Sequence, residues 1–129
     1  MTPTSDAIII GAGPAGLACA ATMRAAGLDV AVLEKADSVG AVWRHHYDRL
    51  HLHTDRGHSG LPDMAMPPDY PTYPSRGQMV AYLESYAERF NIQPIFGMDV
   101  HAFEARMRYG ALKPIGARSR RPSWSLHPE

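Results

Sequence analysis

The hydrophobic positions of the chain fall into runs of different kinds. Residues 7–10, A-I-I-I, are continuously apolar, which suits a central parallel strand buried on both faces. Residues 14–26 are rich in Ala, Leu and Met and predict a helix, with Gly27 placed to cap its end. Residues 29–33 form a second, β-branched run. Strand, glycine turn, helix and strand make a βαβ unit, whose crossover is expected to be right-handed.

Residues 36–58 show no clear period. Residues 60–74, GLPDMAMPPDYPTYP, carry five prolines, which remove donors and disfavour helix in the preceding residue, so an extended loop is expected. Leu61, Met64, Met66, Tyr70 and Tyr73 are interleaved with the prolines and favour packing over disorder. A helix then begins. Ser75 is a cap and Gln78, three residues on, completes a capping box. Met79, Leu83, Tyr86 and Phe90 repeat at helical steps, with Val80 and Ala87 beside them, and Asn91 is placed to end the helix. Ile95, Phe96 and residues 98–103 are expected to form a further strand. No internal repeat is present.

Composition narrows the class. A length of 129 residues suffices for one domain with a core but is short for two nucleotide sites. Thirteen basic and thirteen acidic residues cancel, so no net field draws the chain to nucleic acid or to an anionic membrane. Lys113, Arg118, Arg120 and Arg121 nevertheless crowd the end. The single cysteine, Cys19, leaves no internal disulfide and no dithiol pair of a disulfide reductase; inside the expected helix it reads as a small core side chain. No apolar run approaches the ~20 residues that span a bilayer, and the N-terminal MTPTSD lacks a secretory pattern, so the cytoplasm is expected.

The candidate chemistry begins at Gly11-Ala12-Gly13-Pro14-Ala15-Gly16. In this G-x-G-x-x-G, Gly11 permits a tight turn, Gly13 lets a pyrophosphate approach the backbone, and Gly16 lets helix and strand pack closely. The phosphates would face a helix N-terminus, where N–H groups and the dipole favour negative charge. Glu34 follows Gly11 by 23 residues, at the end of the second strand, where an acid holds ribose hydroxyls. Lys35 comes next. An acid there disfavours a 2′-phosphate, so NAD and FAD both fit and NADP does not.

Two longer motifs are more specific. E-K-A-D-x-x-G-x-x-W begins at Glu34, and D-Y-P-x-Y-P-[ST]-x-x-Q-x-x-x-Y-L-x-x-Y-A begins at Asp69. With the glycine turn they make residues 6–104 resemble the N-terminal part of the flavin-containing monooxygenases, especially the plant indole-3-pyruvate (YUCCA-type) branch and its bacterial relatives. The resemblance implies an α/β fold: a Rossmann-like FAD-binding βαβ unit with a three-layer parallel sheet, here incomplete. It implies that Gly11, Ala12, Gly13, Pro14, Ala15 and Gly16 hold the FAD pyrophosphate and that Glu34, followed by Lys35, binds the adenosine ribose. Val42 and Trp43 would lie along the flavin side. His53 and Thr54 would contact FAD further along, His53 mainly through its backbone, and Val100 would lie near the adenine. Gly40-Ala41 stands where many members have Gly-Gly, a departure that YUCCA-type relatives share. Packing in the core is the competing reading for Trp43. His45, His46, His51, His53 and His58 show no metal-ligand spacing, and no metal is expected.

The implied activity is that of an NADPH-dependent monooxygenase. NADPH reduces FAD, reduced flavin takes O2 to a C4a-peroxide, and one oxygen passes to a small organic substrate. The flavin carries the chemistry, so no residue of this chain is assigned a catalytic role. An amine, a sulfide, a ketone and an indole-type keto acid all remain open as substrates. The alternative is a non-catalytic module that binds FAD or NAD.

The sequence departs from the family after about residue 104. It has no second G-x-G-x-x-G for NADPH and no F-x-G-x-x-x-H-x-x-x-[YF] element. Where the family continues with a β-meander and a strand like V-V-V-A-T-G, this chain has RMRYGALKPIGARSRRPSWSLHPE. Permitted codons for residues 111–129, read two bases further on, give V-E-T-D-R-G-E-I-E-A-P-V-V-V-V-A-S-G, which resembles the missing piece. Residues 1–105 are therefore expected to be the N-terminal part of an FAD-binding domain, and residues 106–129 an out-of-frame tail. Loss of the family's next strand would leave residues 8–10 at an open sheet edge, with poor solubility, weak FAD affinity and no turnover.

Overall fold

A computed structural model describes residues 5–102, together with the backbone of 105–106 and 123–124. Its elements in order are β1 (Ala7–Ile10), α1 (Pro14–Ala25), β2 (Val30–Glu34), α2 (Ala41–Arg44), a short 3-10 turn (Arg56–His58), α3 (Arg76–Arg89) and β3 (Ile95–Phe96). These strands form one parallel sheet in the order β1-β2-β3. Ile9 pairs with Val32 and Leu33 with Ile95 in its register. The βαβ unit is as expected, each boundary within a residue or so of its sequence signals.

The two sheet faces follow from the period of two along each strand. Ile9, Val30 and Val32 lie on one face and join a single cluster with Leu17, Ala20 and Ala21 of α1 and with Met79, Tyr82, Leu83, Tyr86 and Ala87 of α3. The described residues thus supply the sheet and the helical layer on that face. Helix α3 starts with the expected capping box: Ser75 Oγ accepts from the Gln78 amide at 3.3 Å, and Gln78 Oε1 accepts from the Ser75 amide at 2.9 Å. Asn91, at φ 51°, turns the chain out of the helix.

The proline-rich segment is held down by tyrosine hydroxyls from α3 and from within itself. Tyr82 Oη accepts from the Leu61 amide at 2.7 Å and donates to the Met64 carbonyl at 2.5 Å. Tyr86 Oη donates to the Pro62 carbonyl at 2.9 Å, and Tyr70 Oη to the Gln78 carbonyl at 3.2 Å. Met66 and Pro74 are buried. The segment is a packed loop, as its interleaved apolar residues require.

Residues 7–10, apolar enough for a central strand, lie at an open edge as loss of the family's next strand implies: among the described residues β1 pairs only with β2, and Ile10 is 59% exposed. Two expectations are corrected. Cys19 is exposed, because α1 buries the stripe of Leu17, Ala20 and Ala21 and Cys19 lies off it. The last strand of the sheet is only Ile95–Phe96; from Met98 the chain leaves the ladder after the Met98 amide bonds the Glu34 carbonyl at 3.0 Å. His51 makes an isolated bridge to Ser75. The backbone also forms a two-residue antiparallel pair, β4 (Ala105–Arg106) with β5 (Ser123–Trp124), separate from the main sheet. The expectation of an out-of-frame tail otherwise falls on residues outside those described.

Candidate dinucleotide site

The glycine turn has the geometry its sequence requires. Gly11 sits at φ +101°, a conformation that side chains disfavour. A Cβ on Gly16 would lie 2.0 Å from the Gly11 carbonyl oxygen, so only glycine lets α1 approach the end of β1. A Cβ on Gly13 would meet nothing within 4 Å. That position faces open space, and it caps α1 without any side-chain oxygen to cover the first-turn amides. An anion approaching there finds a helix N-terminus and bare backbone. Pro14 is the first helical residue, where its missing N–H costs nothing.

Ala12 joins three candidate pieces. It is fully buried. Its amide donates to Glu34 Oε2 at 2.7 Å, and its carbonyl accepts from the Gly40 amide at 3.1 Å. The glycine turn, the end of β2 and the start of α2 therefore meet at one residue. Glu34 Oε1 accepts from the Ala36 amide at 2.9 Å, so the buried carboxylate is held by backbone donors from both sides. A carboxylate has about four acceptor positions, so two amides leave room for ribose hydroxyls. Gly40, at φ +65°, begins α2, and a Cβ there would meet Leu83 Cδ1 at 3.0 Å.

The remaining expected residues divide. Val42 is 69% exposed on α2, beside the turn, and Trp43 is half-buried against the core with its ring 5.8 Å from that of His46. Ala15 and Lys35 are exposed. His53 and Thr54 lie on the segment leading to the 3-10 turn, where the Thr54 hydroxyl pairs with Ser59 Oγ at 2.6 Å. Val100 is half-buried outside any strand. The structure thus gathers the glycine turn, Glu34 and the element that begins at Gly40.

The histidines are used locally. His45 Nδ1 bonds the Ala41 carbonyl at 2.7 Å, and His51 Nδ1 the Arg49 carbonyl at 2.9 Å. His58 Nδ1 lies 2.7 Å from Asp55 Oδ2, and this contact, more than any other, holds the Asp55 carboxyl below its ordinary range. His53 instead lines a groove of 840 Å³ with Tyr47, Arg49, His51, Thr72 and Tyr73. Sequence reasoning did not find this groove. Its walls come from two segments that are distant in sequence, joined by Leu52 N–H to Pro74 O at 2.8 Å and Arg56 N–H to Thr72 O at 2.7 Å.

A parallel βαβ unit with a glycine turn against a helix N-terminus and an acid closing β2 defines a Rossmann-type dinucleotide-binding protein. Residues 8–107 match the family described as pyridine nucleotide-disulphide oxidoreductase, and the chain belongs to that family. Flavin monooxygenases are among its relatives. Over 102 residues it is 49% identical to indole-3-pyruvate monooxygenase YUCCA1 of Oryza sativa subsp. japonica, covering 77% of this chain and 25% of that protein. The flavin-containing monooxygenase of Stenotrophomonas maltophilia superposes with a TM-score of 0.76 at 28% identity, over 82% of this chain and 32% of that one. The OTEMO complex with FAD and NADP gives 0.65 at 26% identity, over 80% and 21%. The chain spans about a fifth to a third of the length of these relatives. Among the described residues, no helix is long and apolar enough to cross a membrane.

Proposed function

We propose that this chain is the FAD-binding portion of an NADPH-dependent flavin monooxygenase, acting with O2 on a small organic substrate in the cytoplasm. The observation that carries the reading is the meeting of the glycine turn, Glu34 and the Gly40 element at Ala12. The open approach to Gly13 and the exposed side chains of Ile10 and Val42 fit a flavin dinucleotide laid across the end of the sheet. The 49% identity to an indole-3-pyruvate monooxygenase supports the same class, and the single cysteine suits a reducing compartment.

Each residue's part follows from its position. The amides at the start of α1 receive the pyrophosphate, and Gly13 keeps its path clear. Glu34, already fixed by Ala12 and Ala36, orients toward the ribose. Val42 and Trp43 offer apolar surface to the flavin side, while Lys35, His53, Thr54 and Val100 are contacts of the outlying parts of the cofactor. FAD, when bound, supplies the redox chemistry that uses NADPH and O2; the protein holds it and excludes water. The resemblance of the shifted reading of residues 111–129 to the family's next strand supports residues 1–105 as the front of that FAD domain, and resequencing the gene past codon 100 tests this.

The function is tested by titrating FAD with the 129-residue chain and following flavin fluorescence. Weak saturable binding, lost in Gly13→Val, is expected. Preferential binding of NAD with no response to FAD would sink the reading in favour of a simple NAD-binding module.

A further inference from the structure

Helix α2 is only four residues long, yet it carries Val42 and Trp43. A helix of one turn has little stability of its own, so what holds its two ends sets its direction. Its start is tied to the glycine turn, since the Gly40 amide donates to the Ala12 carbonyl at 3.1 Å. Its far end is held differently. The Ala41, Val42 and Trp43 carbonyls meet local donors: His45 Nδ1 at 2.7 Å, the His45 amide at 3.3 Å and the His46 amide at 3.4 Å. The Arg44 carbonyl is met at 2.6 Å by Arg76 Nη1, which comes from the first turn of α3, 32 residues on.

Arg76 does more than close that carbonyl. Nη1 also donates to the His46 carbonyl at 2.9 Å, so both of its protons are used. Nη2 pairs with Asp48 at 2.9 Å, and the Arg76 amide donates to the Leu50 carbonyl at 2.8 Å. The side chain is only 26% exposed, so these bonds are partly shielded from water. A second tie between the two helices, Arg44 with Glu84, lies nearer the surface, where an ion pair contributes little. Helix α3 is itself fixed by its capping box and its buried stripe. Arg76 is thus the link through which a core helix orients α2. Its bonds go to residues 44–50 and leave the Ala12–Glu34 contact to stand without it.

We infer that Arg76 is a positioning residue for the flavin end of the cofactor site: by holding the far end of α2 it sets how Val42 and Trp43 are presented. The glycine turn and Glu34 receive the adenosine diphosphate part independently of it. The inference rests on the FAD reading and adds to it a residue that acts through α2.

The test compares two probes, FAD and ADP, by calorimetric titration of the 129-residue chain. ADP offers the pyrophosphate and the adenosine ribose alone, and FAD adds the flavin. Arg76→Gln is expected to weaken FAD by about tenfold and to leave ADP within about twofold. Arg76→Lys, which restores a donor for the carbonyls without the planar fork, is expected to lie between. Trp43 emission gives a readout free of ligand. In a Trp124→Phe background Trp43 is the one tryptophan left, and Arg76→Gln is expected to shift its emission to the red. A merely structural role would lower the melting temperature and weaken both probes alike. Equal weakening of FAD and ADP therefore overturns the inference, as does unchanged FAD affinity or unchanged Trp43 emission. Should Arg76→Gln fail to fold, Arg76→Lys carries the test, and a parent-like ratio of FAD to ADP affinity there overturns the inference. A parent chain that binds FAD no better than ADP, or binds neither, sinks the monooxygenase reading and the inference with it. An unchanged ratio in Arg76→Gln, against a parent that prefers FAD, sinks the inference alone.

Discussion

The buried carboxylate of Glu34 joins the Ala12 amide, at 2.7 Å, to the Ala36 amide, at 2.9 Å. It therefore shapes the glycine turn before any ribose arrives. Glu34→Gln replaces one acceptor oxygen by a donor and leaves one of the two amides facing it. The expected cost is about 1–3 kcal/mol of stability, read as a lower urea midpoint, together with weaker FAD binding. An unchanged midpoint would show that Glu34 serves the ligand and not the fold.

Gly13 and Gly16 are expected to separate binding from folding. Gly16→Ala drives a methyl group to 2.0 Å from a backbone oxygen, and the expected loss is about 3 kcal/mol or more. Gly13→Ala meets nothing within 4 Å and sits at φ −86°, so its melting temperature is expected to stay near that of the parent while FAD affinity falls. Equal destabilisation by the two substitutions would contradict this division.

Removing the Tyr82 hydroxyl leaves the Leu61 amide and the Met64 carbonyl without their partner. Tyr82→Phe is expected to cost about 1–3 kcal/mol and to speed proteolytic cleavage between residues 60 and 70. Cleavage unchanged in rate and place would mean that the loop is held by its apolar contacts alone.

Burial raises the hydroxyls of Tyr70, Tyr82 and Tyr86 above their ordinary value of 10.0, with Asp69 adding to the effect at Tyr70, and Tyr82 and then Asp63 adding to it at Tyr86. The Leu61 hydrogen bond opposes the rise at Tyr82. The folded chain keeps protons that the unfolded chain gives up. The stability from these groups is therefore complete below pH 10 and is lost as pH rises from there through the folded values. Urea midpoints at successively higher pH above 10 are expected to fall, and to fall less steeply in Tyr82→Phe. A flat profile there would show that the hydroxyls ionise alike in both states.

Local chemistry was the part of this structure most legible in the sequence. The Ser75–Gln78 box, the left-handed Asn91 and the Gly11–Gly16 turn each depend on a few adjacent residues, so their residue types were enough to place them. Burial was less legible because it depends on what lies across from a residue. An apolar strand reads the same at an edge as in the centre, so the exposure of Ile10 could not be read from A-I-I-I. Cys19 was misplaced because a helix rich in small residues gives a weak stripe. At the site, the residues of the turn and of the Gly40 element were found together, whereas the bonding of Glu34 to two amides and the groove lined by His53 were not. Hydrogen bonds across 22 residues and a groove wall built from two distant segments leave no periodic trace.

The tyrosine bonds have a consequence for how the molecule opens. The Leu61, Pro62 and Met64 backbone groups are tied to two successive inward positions of α3, and Tyr70 returns a bond to the first turn of the same helix. The proline-rich segment cannot lift away while α3 stays in place without breaking all of these at once. Loop and helix form one cooperative unit. The Leu61 amide, though it lies in a loop, is expected to exchange its hydrogen with solvent as slowly as the amides in the middle of α3.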